Sequence, residues 1–170
     1  DRPGQVFNVI IDALRTVNEE ISRTDDVAGF WDEQREGKKI KTLEPKREPI
    51  ITRHIESRLR DITLQKNMDI VREIELGNSK LDLLFSAPLK DGSTVKVCVE
   101  VKKAHADDLV HGLVVQLPEY MRRVGTDYGI YCVLYFGPDY LHKIGQFEQQ
   151  LSDAPVADVA RLDLESLLNL

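Results

Sequence analysis

The sequence predicts an α/β fold, a mixed central β-sheet flanked by helices, and three patterns carry that expectation. Two segments within the first 64 residues repeat apolar side chains at helical spacing. Residues 94–102 alternate between apolar and polar, and residues 130–136 form one unbroken apolar run. Helices combined with a hairpin and a late, doubly buried strand give a sheet with helices on its faces, the αβββαβ order, here preceded by an extra N-terminal helix.

The first helix is expected from Gln5 to Ile21, where Val6, Val9, Ile10, Ala13, Leu14, Val17 and Ile21 form one stripe. From Ser22 to Pro45 the periodicity dissolves into charged, glycine-punctuated sequence. That stretch reads as a long, poorly ordered connection anchored by Phe30 and Trp31. A second helix follows over Glu48–Leu64, with Pro49 suited to a first turn and Ile51, Ile55, Leu59 and Ile62 as its stripe.

Ile70–Leu76 and Lys80–Ala87 read as strands joined at Gly77-Asn78, and Lys90-Asp91-Gly92-Ser93 is a turn by composition. The third strand, Thr94–Lys102, puts Val95, Val97, Val99 and Val101 on one side and Thr94, Lys96, Cys98, Glu100 and Lys102 on the other. Asp107–Val124 is expected to be helical, with Pro118 kinking it, and the apolar run within Gly129–Phe136 a buried strand. Tyr140–Leu151 reads as a helix, Val156–Leu162 as an edge strand and Leu164–Leu170 as a short helix. The 170 residues make one domain: residues 1–47 the helix and connection, 48–136 the core, 137–170 the closing elements.

Hydrophobic residues make up 42% and charged residues 31%, too apolar for a disordered tail and too polar for a membrane span. Nothing at the start resembles a secretory signal, so the expected compartment is cytoplasmic, and a chain opening on Asp1 rather than Met suggests a domain excised from a larger protein. Cys98 and Cys132 sit in apolar β-type runs and are expected as reduced core residues. A net charge of -6 argues against an all-over nucleic-acid coat but not against a local basic patch, for which Lys38-Lys39-Ile40-Lys41, Lys46-Arg47, Lys102-Lys103 and Arg122-Arg123 are available.

The informative grouping is Asp82 followed, after seventeen residues, by Glu100-Val101-Lys102. A period of two puts Glu100 and Lys102 on one strand face, and antiparallel pairing across the turn brings Asp82 beside them. Two carboxylates suit a hard divalent cation, and an ammonium beside them can orient water and offset developing charge. By itself an E-x-K tripeptide is commoner on a solvent-facing strand.

The context of that grouping is more specific. Ser79-Lys80-Leu81-Asp82-Leu83-Leu84, then Val97-Cys98-Val99-Glu100-Val101-Lys102-Lys103, then a helix carrying Gln116-Leu117-Pro118-Glu119-Tyr120, resembles the PD-(D/E)XK superfamily of restriction-endonuclease-like nucleases, with Gln116 and Tyr120 similar to its Q-x-x-x-Y motif. The resemblance covers roughly residues 48–136. It implies that Asp82 and Glu100 bind magnesium or manganese, with the Val101 carbonyl as a further ligand. Lys102 would serve the attacking water, Gln116 and Tyr120 would steady it or contact phosphate, and Lys103 and Arg122 would bind substrate. Members often place a glutamate near the metal on the preceding helix, which implies Glu48 as a further metal residue; it continues the apolar stripe whereas Glu56 is rotated off it, and Glu73 is a weaker candidate. Leu81 stands where the family often has proline, and Pro118 inside the Q-x-x-x-Y segment is expected to disturb Tyr120.

The implied function is metal-dependent hydrolysis of DNA, RNA not being excluded, within a larger protein or oligomer that supplies target choice. The rival reading is a catalytically inactive module of the same fold, used for nucleic-acid binding or protein interaction. His105 and His111 fall near the site without paired ligands, and His54 and His142 have no evident partner.

Overall fold

The computed structural model describes residues 3–137 and 157–163. Helix α1 (Pro3–Arg23) buries Val6, Ile10, Ala13, Leu14, Val17 and Ile21, the expected stripe with Val9 at its margin. A short 3-10 helix (Asp25–Phe30) follows, opened by Thr24, whose hydroxyl accepts from the Asp26 N–H. The expected irregular connection is instead a β-hairpin, β1 (Trp31–Glu36) against β2 (Lys39–Pro45). Gly37 supplies the left-handed turn residue, and no apolar alternation announces the strands because both faces are largely exposed. The half of it nearest the body is anchored: the Trp31 ring meets Phe136 edge-on at 5.3 Å, Leu43 packs against the larger core, and the Lys46 N–H bonds the Phe30 carbonyl.

Helix α2 (Glu48–Gln65) has Pro49 in its first turn and buries Ile51, Ile55 and Leu59. Strands β3 (Asp69–Leu76), β4 (Ser79–Pro88) and β5 (Thr94–Lys103) form an antiparallel meander, while β6 (Gly129–Tyr135) and β7 (Ala157–Asp163) add on in parallel, giving one sheet in the order β3-β4-β5-β6-β7. The fold is thus mixed α/β with helices on both sheet faces and an additional N-terminal helix. The expected edge strand near residues 156–162 is β7; the expected helices at 140–151 and 164–170 lie outside the described residues.

One face of the sheet, with Val95, Val97, Val99 and Val101 of β5, packs on α1 and α2 in the larger core. The other face carries Cys98, Tyr131 and Val133 and is covered by Leu109, Leu113, Leu117, Tyr120 and Met121. Each fully buried Leu, Ile or Phe contributes roughly 1.5–3 kcal/mol relative to an exposed one. Cys98 and Cys132 are free and buried, as expected.

The helix expected over 107–124 is split. It starts as a single turn, α3 (Leu109–His111), widens into a π segment (Gly112–Gln116) and resumes as α4 (Leu117–Val124) with Pro118 in its first turn. The physical reason lies in Pro118, which has no N–H to give the preceding turn; the Leu117 N–H reaches back to Gly112. Gly112 is also where the segment passes the Tyr131 hydroxyl so closely that any β-carbon would collide with it.

The two antiparallel ladders share an interruption. Between β3 and β4 the pairing runs through Arg72–Leu83 and resumes at Ile74–Leu81, skipping Glu73 and Asp82; between β4 and β5 it ends at Leu83–Val99. Glu73 has φ 54, a left-handed conformation disfavoured for a residue with a β-carbon. Side chains switch faces there: Ile70, Leu83 and Phe85 belong to the α1/α2 core, whereas Ile74 and Leu81, which strict alternation would keep on that side, pack against the opposite core.

Candidate active site

The interruption opens a gap beside β5. Even-numbered amides of β5 turn toward β6, as the Cys98 N–H bonded to Tyr128 and the Ala104 N–H just beyond the strand bonded to Leu134 illustrate. The odd-numbered ones therefore face β4, which has pulled away. Carboxylates take its place: Asp82 Oδ2 accepts the Val101 N–H at 2.8 Å, and Glu48 Oε2 accepts the Lys103 N–H at 2.8 Å. Within a strand a residue's carbonyl points to the same side as its N–H, so the Val101 carbonyl faces the gap too.

Glu100 is 3% exposed, and its Oε2 is buried without a hydrogen-bond partner. Burial, then the neighbouring charges of Asp82 and Glu48, drive its carboxyl well above the ordinary range, against the pull of Lys102 and the Asp82 backbone. Asp82 is also pushed up, by burial first and by Glu48 and Glu73, while the Val101 N–H and Lys102 work in the opposite direction. This is the expected behaviour of carboxylates crowded together out of water with too little positive charge.

The positive charge present is Lys102, its side chain 13% exposed, with Nζ 2.9 Å from Asp108 Oδ2 and 3.8 Å from Glu100 Oε1. Burial alone would favour the neutral amine, but the Asp108 hydrogen bond and the charges of Glu48, Glu100 and Asp108 outweigh it and leave the pKa raised. Asp108 was not singled out for this role by sequence; only a close look at the turn after β5, where a carboxylate can fold back onto Lys102, would have suggested it.

Tyr120 is buried on α4 near Ser79, whose hydroxyl donates to the Leu76 carbonyl. Burial and the nearby Glu100 and Asp82 raise its pKa while Ser79 opposes them, which puts the ring beside the cluster despite Pro118. Gln116 stands one turn earlier, half-buried, with its Oε1 buried and unpartnered. Tyr131, opposite Glu100 on β6, donates at 2.5 Å to the Leu109 carbonyl and so ties the start of the covering helix to the sheet.

The expected residues therefore divide. Asp82, Glu100, Lys102, Glu48 and Tyr120 come together, with Glu73 facing Asp82 from β3 and paired to Arg72 at 2.5 Å. Glu56 is instead bound to Arg60 and Arg72, so the helix glutamate at the cluster is Glu48. Lys103 stands at the rim, Nζ 3.4 Å from the Pro45 carbonyl and 6.0 Å from the Phe136 ring centre. Arg122 is exposed with its guanidinium on Glu119, outside the cluster. His54 lies against Phe30, away from it. Among the described residues no three His, Cys, Asp or Glu side chains form a ready-made metal cage.

Residues 6–138 match the family described as a domain of unknown function, DUF8371. The chain belongs to this family. No curated protein matches it. The DUF8371 match spans α1, the hairpin, α2, the meander and β6, and so includes every residue of the cluster. Among the described residues no helix is long and apolar enough to cross a membrane.

Proposed function

We propose that this DUF8371 chain is a divalent-metal-dependent nuclease that hydrolyses phosphodiester bonds of DNA, built on the PD-(D/E)XK pattern. The observation that carries the reading is the opened sheet edge, where two desolvated carboxylates, one with a bare buried oxygen, meet a lysine kept charged by Asp108. The donor set fits a hard cation. Asp82, Glu100 and the Val101 carbonyl make a partial oxygen shell of the kind magnesium completes with water and substrate phosphate, so a full protein cage is not required.

A bound magnesium or manganese ion supplies Lewis acidity toward the phosphate and the attacking water. The protein's own groups do the rest. Glu48 and Asp82 hold the β5 backbone at Lys103 and Val101, which fixes the strand carrying Glu100 and Lys102. Lys102 remains an ammonium while paired with Asp108, so its part is to orient water and offset charge developing on the phosphate rather than to accept a proton. The Tyr120 hydroxyl and the amide nitrogen of Gln116 are the helix donors available to the phosphate, and Lys103 is the rim cation. Arg122 drops from the set. Target choice is assigned to a partner domain or oligomer.

The test is cleavage of linear and circular DNA in magnesium and in manganese by the wild type, Asp82→Ala and Lys102→Ala, each checked for folding. Metal-dependent cleavage that falls at least 100-fold in both folded variants supports the reading, by analogy with the loss of a transition-state charge stabiliser, about 10²–10³-fold. Cleavage that persists in both, or none by a metal-bound wild type with partner and substrate supplied, overturns it.

A further inference from the structure

We propose that the β1–β2 hairpin is an arm for the sugar–phosphate backbone, with Lys38, Lys39 and Lys41 contacting phosphates of the strand whose scissile bond lies at the carboxylate cluster. This rests on the nuclease reading and extends it to a substrate-gripping surface. A chain of net charge -6 with buried carboxylates at its centre repels a polyanion overall, so affinity has to come from a local cationic element. The hairpin's outer half is such an element. Between Arg35 and Lys41 four cations stand against the single carboxylate of Glu36, and every residue from Asp32 to Lys41 except Ile40 is exposed. Arg35 is paired with Glu33 and Lys41 with Glu36, while Lys38 and Lys39 lie at the turn.

The base of the hairpin is fastened to the site. Pro45, the last residue of β2, receives Lys103 Nζ on its carbonyl and lies three residues before Glu48; Asp32 of β1 acts electrostatically on the same Lys103. A two-stranded ribbon by itself is only marginally stable in water, yet this one is pinned toward its base by Trp31 on Phe136 and Leu43 on the core and is exposed beyond them except at Ile40, so its outer half adds little to the core. The seven residues of β2 span roughly 20 Å at about 3.3 Å each. At about 3.4 Å of axial rise per nucleotide, that reach corresponds to roughly six steps along one duplex strand.

The reach supplies the test. Cleavage and binding by anisotropy are measured on a 30-base-pair duplex and a short duplex, a 4-base-pair stem closed by a stable loop, for wild type, Lys38→Ala/Lys39→Ala/Lys41→Ala and the matching triple arginine variant, all checked by thermal unfolding. The alanine variant is expected to lose 10-fold or more on the long duplex, through KM with kcat retained. Its salt slope should fall by about 2–3 for three lost phosphate contacts. The arginine variant restores both, and the short duplex changes less than twofold. An unchanged long duplex, or an equal loss on both lengths, overturns the arm even if the wild type cuts DNA. Lysine-dependent binding of the long duplex without cleavage under any metal, with the partner supplied, supports the arm and overturns the nuclease reading, so the two fail separately.

Discussion

The two ends of the β3–β5 meander are built from the same strands and behave oppositely. At the end holding Ile70, Phe85, Val97 and Val99 the ladders are complete, alternation is regular and the side chains are fully or almost fully buried. At the end holding Glu73, Asp82 and Glu100 the ladders skip, one backbone is left-handed, and carboxylates replace a missing strand partner. Cohesion is concentrated at one end and unsatisfied polar groups at the other, because the backbone and carboxylate oxygens left without a strand partner there are not closed into the ladder.

Truncation and charge removal should separate the ends most sharply. Phe85→Ala, in the regular half, is expected to destabilise by about 3–5 kcal/mol through the cavity it leaves, as denaturant unfolding would measure. Glu100→Gln should do the reverse and stabilise the metal-free protein at neutral pH by on the order of 1 kcal/mol or more, since a neutral amide no longer has to hold on folding a proton that the unfolded chain has released.

The same carboxylates set a pH dependence. The folded-state pKa values of Asp82 and Glu100 lie above their ordinary 3.8 and 4.5, so the folded protein retains protons that the unfolded chain has released. Their contribution is neutral below that range and increasingly destabilising as pH rises through it toward the raised values. Metal-free wild type should therefore lose stability over that window, and Glu100→Gln should flatten the loss in thermal unfolding followed across pH. The smallest contrast concerns the backbone. Glu73→Gly should gain about 0.5–1 kcal/mol by relieving the left-handed residue, while Val71→Gly, two residues away in regular strand, should lose a similar amount by denaturant unfolding.

Much of the regular end was legible because its causes are local. The α1 stripe, Pro49 at the start of α2 and the valine alternation of β5 each follow from a period that a short window contains. The hairpin was not legible: its strands bury almost nothing, so no alternation marks them. The face switch at Glu73 and Asp82 was equally hidden, since it arises where β4 departs from β5, a matter of distant pairing. At the site, Glu48 could be preferred to Glu56 from its position on the apolar stripe, and the structure brings it to Lys103. The Asp108 partner of Lys102 and the tie from Tyr131 to Leu109 depend on tertiary approach. The kink expected at Pro118 takes the form of a π segment, and Tyr120 stays at the cluster rather than being displaced from it.

The most direct test of the central claim, that the opened edge holds a catalytic divalent cation, is calorimetric titration of manganese into the folded wild type, Asp82→Asn and Glu100→Gln at neutral pH. Saturable binding by the wild type, accompanied by proton release and weakened at least 10-fold in each variant, is the predicted result. No saturable binding, or binding that both variants retain unchanged, would contradict it.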